Sequence, residues 1–232
     1  MKRVLSILVF VVLLASCGGK SENTMTVSGN VKGLKKGVLF LQHFQDSALV
    51  VIDSIEIQGN GSFAFSHEVM EPEIFYLYLD KQDNNTINDR ITFFGEAGEI
   101  TINTQWNTFD LNPEILGSKS HDKMEEFNEM MSNFSIREIE LLQLGTLEEY
   151  QEDSLKLDSV QRLIDRNIIS SYRYALNFGL MHGDSYATPY LMSTVADVVN
   201  PKYLDSVYGL LEPEVASSKY GKALKEQLES SK

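Results

Sequence analysis

Residues 98–134 read GEITINTQWNTFDLNPEILGSKSHDKMEEFNEMMSNF, and the apolar period changes half-way along them. Ile100 and Ile102 alternate with polar neighbours, the pattern of a half-buried strand. Beyond Gly117-Ser118 the spacing becomes helical: Met124, Phe127, Met131 and Phe134 fall on one stripe. A β-part therefore ends near Gly117 and an α-part begins there.

Upstream, period two persists back to Met25, with turn residues at short intervals. Met25, Val27 and Val31 alternate with Thr26, Ser28 and Asn30, and Lys32-Gly33 to Lys36-Gly37 is a turn. Val38 to Phe44 is a second strand. Ala48 to Ile57 is a third, and its unbroken Leu49-Val50-Val51-Ile52 predicts burial on both faces. Gly59-Asn60-Gly61 reads as a tight hairpin turn, since Asn-Gly tolerates positive φ. Phe63 and Phe65 alternate in the next strand. In Ile74 to Leu79, Tyr76 and Tyr78 share one face while Phe75, Leu77 and Leu79 share the other. A polar loop from Lys81 to Asp89 precedes strands at Ile91/Phe93 and Ile100/Ile102. About seven or eight short strands in this span predict an antiparallel sandwich.

Downstream, Thr146-Leu147-Glu148-Glu149 has the residue types of a capping box. The long helix after it is expected to bury Tyr150, Leu157, Val160, Ile164, Ile168, Tyr172 and Ala175, and to break between Gly179 and Ser185. Thr188-Pro189 and Asn200-Pro201 read as N-cap plus N1-proline starts. Their helices would carry Leu191, Val195 and Val198, then Leu204, Val207 and Leu211. Pro213 breaks again before Tyr220, Leu224 and Leu228. The expected fold class is α+β in two parts: an N-terminal antiparallel β-sandwich (25–118) followed by a C-terminal all-α helical bundle (119–232).

The N-terminus reads as an address. Lys2 and Arg3 precede an apolar run from Val4 to Leu14, too short to span a bilayer. Leu14-Ala15-Ser16-Cys17 closes it and looks like a bacterial lipobox. The expectation is a signal peptide over 1–16, lipidation at Cys17, and a short tether over 17–24. Several acyl chains would hold the protein to the membrane firmly. The expected location is the bacterial cell envelope, facing the periplasm or on the outer membrane.

Composition narrows function by exclusion. The 232 residues hold 20 Lys plus Arg against 33 Asp plus Glu, a net of −13. Removing Lys2 and Arg3 leaves 18 basic against 33 acidic side chains, or −15. Such a chain is a poor nucleic-acid binder, because it cannot neutralise phosphates. Its single Cys permits no internal disulfide, no CxxC pair and no Cys-based zinc site. His43, His67, His121 and His182 show no metal-ligand spacing, and no metal or other cofactor is expected. The acids and amides from Asp80 to Asp89 lack the order of an EF-hand. Carboxylate pairs such as Glu125-Glu126 and Glu148-Glu149 sit on amphipathic helices and read as solvated faces.

The order lipobox, small β-domain, helical hairpin resembles the N-terminal region of envelope thiol-disulfide oxidoreductase lipoproteins. Those carry a domain of unknown function ahead of a thioredoxin-like domain. The residues that carry the resemblance are Val27 to Leu34, Val38 to Leu41, Asp53-Ser54, Gly59 to Phe63 and Gly117-Ser118. Further on they are Gly183-Asp184-Ser185-Tyr186 and Ser218 to Leu224. In that family a thioredoxin-like domain would follow a segment like Leu224 to Leu228, and its reactive thiolate belongs to a CxxC pair. Neither stands in this sequence, so the resemblance implies the accessory part without the oxidoreductase activity.

The chain is thus expected to be a non-catalytic binding or scaffolding module of the envelope. An accessory subunit of a separate thioredoxin-like oxidoreductase, or a glycan-binding lipoprotein, are the alternatives. A glycan reading would use Trp106 for stacking with the Tyr76/Tyr78 face. A protein-partner reading would use Tyr208 and Tyr220 as a partly exposed contact pair, off a buried stripe of Tyr203, Val207, Leu210 and Leu211.

Overall fold

The computed structural model describes residues 23–45, 48–81 and 89–230. The expected signal peptide, Cys17 and most of the expected tether lie outside the described residues. So do residues 82–88 of the polar loop.

Eight strands form the first part: β1 Thr24–Lys32, β2 Lys36–Gln45, β3 Ala48–Gln58, β4 Ser62–Glu68, β5 Glu73–Asp80, β6 Arg90–Gly95, β7 Gly98–Gln105 and β8 Glu114–Leu116. They make two sheets of four, ordered β4-β1-β7-β8 and β3-β2-β5-β6. Alternation sends Met25, Val27, Phe65, Ile100 and Ile102 inward from one sheet. Leu39, Leu41, Phe75, Leu77, Leu79 and Phe93 meet them from the other. The sandwich is as expected, with one addition: β1 and β7 pair in parallel, Val27 opposite Ile100.

Two local readings are corrected. The run Leu49 to Ile52 is not covered on both faces: Val51 is 54% exposed, and β3 is the edge strand of its sheet. A register shift opposite Leu41/Gln42 marks a bulge there, a common way to blunt a free edge. Gly59-Asn60-Gly61 is not a hairpin turn within a sheet, since β3 and β4 belong to different sheets. It is a corner between them. Gly61 has φ +74, and a Cβ there would fall 2.1 Å from the Val31 carbonyl oxygen, so only glycine fits.

The second part contains α1 Lys119–Gly145, α2 Glu148–Gln151, α3 Ser154–Met181, α4 Ala187–Val195, α5 Pro201–Tyr208, α6 Pro213–Ala216 and α7 Lys219–Ser230. α1 and α3 form an antiparallel hairpin about 40 Å long at 1.5 Å per residue. Its distal end holds a small cluster of Leu141, Val160 and Ile164. The proximal end joins α4, α5 and α7 in a larger core that includes Phe127, Phe178, Leu191, Met192, Val207 and Leu224.

Several helix signals resolve differently from the expectation. Thr146 does not open a capping box: its hydroxyl donates to the Gln143 carbonyl at 2.7 Å and closes α1. The long helix starts later, where Asp153 Oδ1 accepts from Leu155 N at 2.9 Å. Thr188 is fully buried inside α4, and its hydroxyl donates to the His182 carbonyl. Asn200-Pro201 does cap and start α5, with Asn200 Oδ1 accepting from Lys202 N at 3.0 Å. Pro213 opens a short helix instead of breaking one. Gly179 lies within α3, where a Cβ would meet Val207 Cγ1 at 2.7 Å and Met192 Sδ at 2.8 Å. The missing side chain lets α5 and α4 approach α3 closely.

The helices pack on the sandwich at the β5/β6 end. Ile74 and Phe94 are buried in the helical core and belong to it more than to the sandwich. Phe94 alone contributes about 2–3 kcal/mol by burial. Acidic side chains cap the helices that start there. Glu96 Oε1 accepts from Lys119 N at 2.7 Å at the start of α1, and Glu71 Oε1 accepts from Lys219 N at 2.7 Å at the start of α7. No described helix is long and apolar enough to cross a membrane.

A candidate binding groove on the helical region

The helix α3 carries two apolar stripes. One, including Val160, Ile164, Ala175 and Phe178, is buried toward α1 and the proximal core. The other holds Ile169, Leu176 and Leu180 at i, i+7 and i+11, with Arg173 at i+4. Ile169 is 47% exposed and Leu180 40%. This second stripe forms one wall of a groove of about 620 Å³, and Val198, Asn200 and Tyr203 form the other. The Asn200 cap and Pro201 fix where α5 begins, and so place Tyr203 beside the stripe.

The electrostatics of the groove are simple. Its lining includes one charged side chain, Arg173, and no carboxylate. Among the described residues Arg173 has no ion pair, and neither has Arg166 two turns earlier on the same face. On a chain of net −13 this is a cationic, apolar strip.

The expected contact residues lie elsewhere. Tyr220 is half-buried, and its hydroxyl accepts from Ile74 N at 3.0 Å. Its ring packs edge-on against Phe94 and Tyr190. Burial pushes the phenol well above its usual range, so it stays protonated. Tyr208 is also half-buried against the helical core. In and just after α5, Leu204, Val207 and Leu211 face inward as expected, while Tyr203, expected on the buried stripe, is 57% exposed and Leu210 is exposed too. Val198, expected inside, is exposed on the groove wall.

Trp106 is not brought together with Tyr76 and Tyr78, for no ring contact joins them among the described residues. Its indole covers Gly33, where a Cβ would fall 2.6 Å from Cδ1, and Lys81 Nζ lies 6.0 Å from the ring. Tyr76 and Tyr78 do share the outer face of β5. Arg90 lies across both rings at 5.6 and 5.5 Å, and Tyr76 also packs against the helical core. Burial raises the Tyr76 phenol, against the opposing pull of Arg90.

The histidines occupy separate places. His43 stacks on Phe75 and faces His67 edge-on at 6.0 Å. Its Nδ1 stands 3.5 Å from Glu73 Oε1, within ion-pair range but without hydrogen-bond alignment. Glu73 also pairs with Lys219. Burial, then the neighbouring His43, lowers the His67 pKa. Burial likewise lowers that of His121, whose Nδ1 faces Phe94 N at 3.5 Å. His182 packs on Phe178. Among the described residues no three His, Cys, Asp or Glu side chains converge as a metal site. Of the loop acids, Asp89 is buried and paired with Lys81.

A single buried stripe is what the sequence reading assigns to α3, and that leaves the groove wall out. The signal was present: Ile169, Leu176 and Leu180 keep helical spacing but fall out of phase with Val160, Ile164 and Ala175.

No curated protein matches the chain, and no solved structure does. The segment holding nearly all of the sandwich and the first residues of α1 does match a family: a Domain of unknown function (DUF4369) is found over residues 25–124.

Proposed function

We propose that the chain is a non-catalytic binding module, held at the bacterial envelope by lipid on Cys17, that presents the α3/α5 groove to a protein partner. The observation that carries this is the groove itself. A soluble domain gains by burying Ile169, Leu176, Leu180, Val198 and Tyr203, and contiguous apolar surface left open marks interaction sites. The anchor rests on the lipobox pattern from Leu14 to Cys17. The likeness to the accessory region of envelope oxidoreductase lipoproteins fits the same reading, with a separate thioredoxin-like protein as one class of partner.

The test is site-specific photo-cross-linking in cells. A photoreactive residue at Leu176 of the full-length chain should give a discrete heavier adduct from the membrane fraction. The same residue at Ser66, exposed on the outer face of the other sheet, should give none. Equal labelling from both sites, or none from Leu176, would refute the proposal.

A further inference from the structure

We infer that the groove receives an amphipathic α-helix of the partner, apolar along one face and carrying a carboxylate set against Arg173. This rests on the groove being the binding surface. The wall from Ile169 to Leu180 spans about 17 Å at 1.5 Å per residue, three turns of a helix. A second wall with Val198 and Tyr203 makes the site concave, with room of about 620 Å³. An apolar, two-walled groove of that length is the usual seat of an amphipathic helix.

Charge selects the face such a helix must show. The lining lacks a carboxylate although the chain holds 33 Asp and Glu. Arg173 stands in the stripe between Ile169 and Leu176 without an ion pair among the described residues. Arg166 extends the same edge. A bound helix with a Glu or Asp beside its apolar face would supply the missing counter-charge, while a Lys there would be repelled. A bilayer fits less well: the surface is concave, and the body around it is acidic and repelled by anionic lipid. A second copy, also at −13, meets the same repulsion.

The test uses the full chain in nanodiscs of zwitterionic lipid. The probes are two labelled 14-residue helical peptides with identical leucines at i, i+3 and i+7, one with Glu and one with Lys at the flanking position. Binding is read by anisotropy at low salt. The wild type should bind the Glu peptide about tenfold tighter than the Lys peptide. Arg173→Glu, at an exposed position, should reverse that order. Leu180→Asp should abolish both.

Equal affinity for the two peptides, or none for either, overturns the inference. If Leu176 still cross-links to a partner in that case, the groove reading survives and only the helix fails. Two other results would overturn it as well. One is Arg173-dependent binding to vesicles of phosphatidylglycerol and phosphatidylcholine, which assigns the groove to the membrane. The other is a dimer in sedimentation that Leu180→Asp disperses, which assigns it to a second copy.

Discussion

Truncating Tyr220 should unfold the joint between the two parts of the molecule. The ring lies against Phe94 and Tyr190, with centroids 5.9 and 5.1 Å away, and the hydroxyl accepts from Ile74 N. Tyr220→Phe keeps the ring contacts and orphans one partly buried N–H, a cost of about 1–2 kcal/mol. Tyr220→Ser also removes the ring from a site lined by Phe94, which does not readily collapse. Its cost should be about 3–5 kcal/mol. The control is Tyr203→Ser, on a side chain that is 57% exposed, and it should stay within about 0.5 kcal/mol of wild type. Urea unfolding followed by circular dichroism gives all three values. A Tyr220→Ser protein as stable as Tyr203→Ser would refute this placement of Tyr220 and return it to the surface.

Three further outcomes are expected, two from the structure and one from the lipobox pattern. Gly179→Val drives a side chain into Val207 and Met192, and should cost about 1–3 kcal/mol and loosen α5 in hydrogen exchange; unchanged protection of α5 would contradict the close approach. His67 and His121 are held below the ordinary 6.5, so the unfolded chain binds more protons than the folded one on the acid side. Their contribution is complete above pH 6.5 and is lost as pH falls below it. The urea midpoint should therefore drop from pH 7.5 to 5, and less steeply in a His67→Gln/His121→Gln double variant; an equal slope would show that these imidazoles are not the cause. Cys17→Ala should abolish fatty-acid labelling and move the protein out of the membrane fraction; retention there would sink the lipid anchor.

The sequence carries what is local. Alternation in Met25/Val27 and Phe63/Phe65 sets which side chains point inward, and the Met124-to-Phe134 spacing sets the face of α1. What alternation does not report is a strand's neighbours. Leu49 to Ile52 has the composition of a doubly covered strand, yet position in a sheet is decided by pairings far along the chain. The same holds for Gly59-Asn60-Gly61. Its backbone chemistry turns the chain equally well within a sheet or between sheets. Thr146 and Asp153 are both acceptable N-caps by residue type, and of the two only Asp153 caps the long helix. The groove stayed hidden for a different reason. Helical phase separates the two apolar stripes of α3, but only the neighbours that cover the first show which one is left open.

The most direct test of the groove as the working surface is quantitative co-purification from native membranes. Full-length wild type, Leu180→Asp and Ser66→Asp would be compared at equal abundance by mass spectrometry. One set of envelope proteins should be recovered with wild type and with Ser66→Asp, and fall at least about tenfold with Leu180→Asp. Equal recovery by all three proteins would contradict the groove's role.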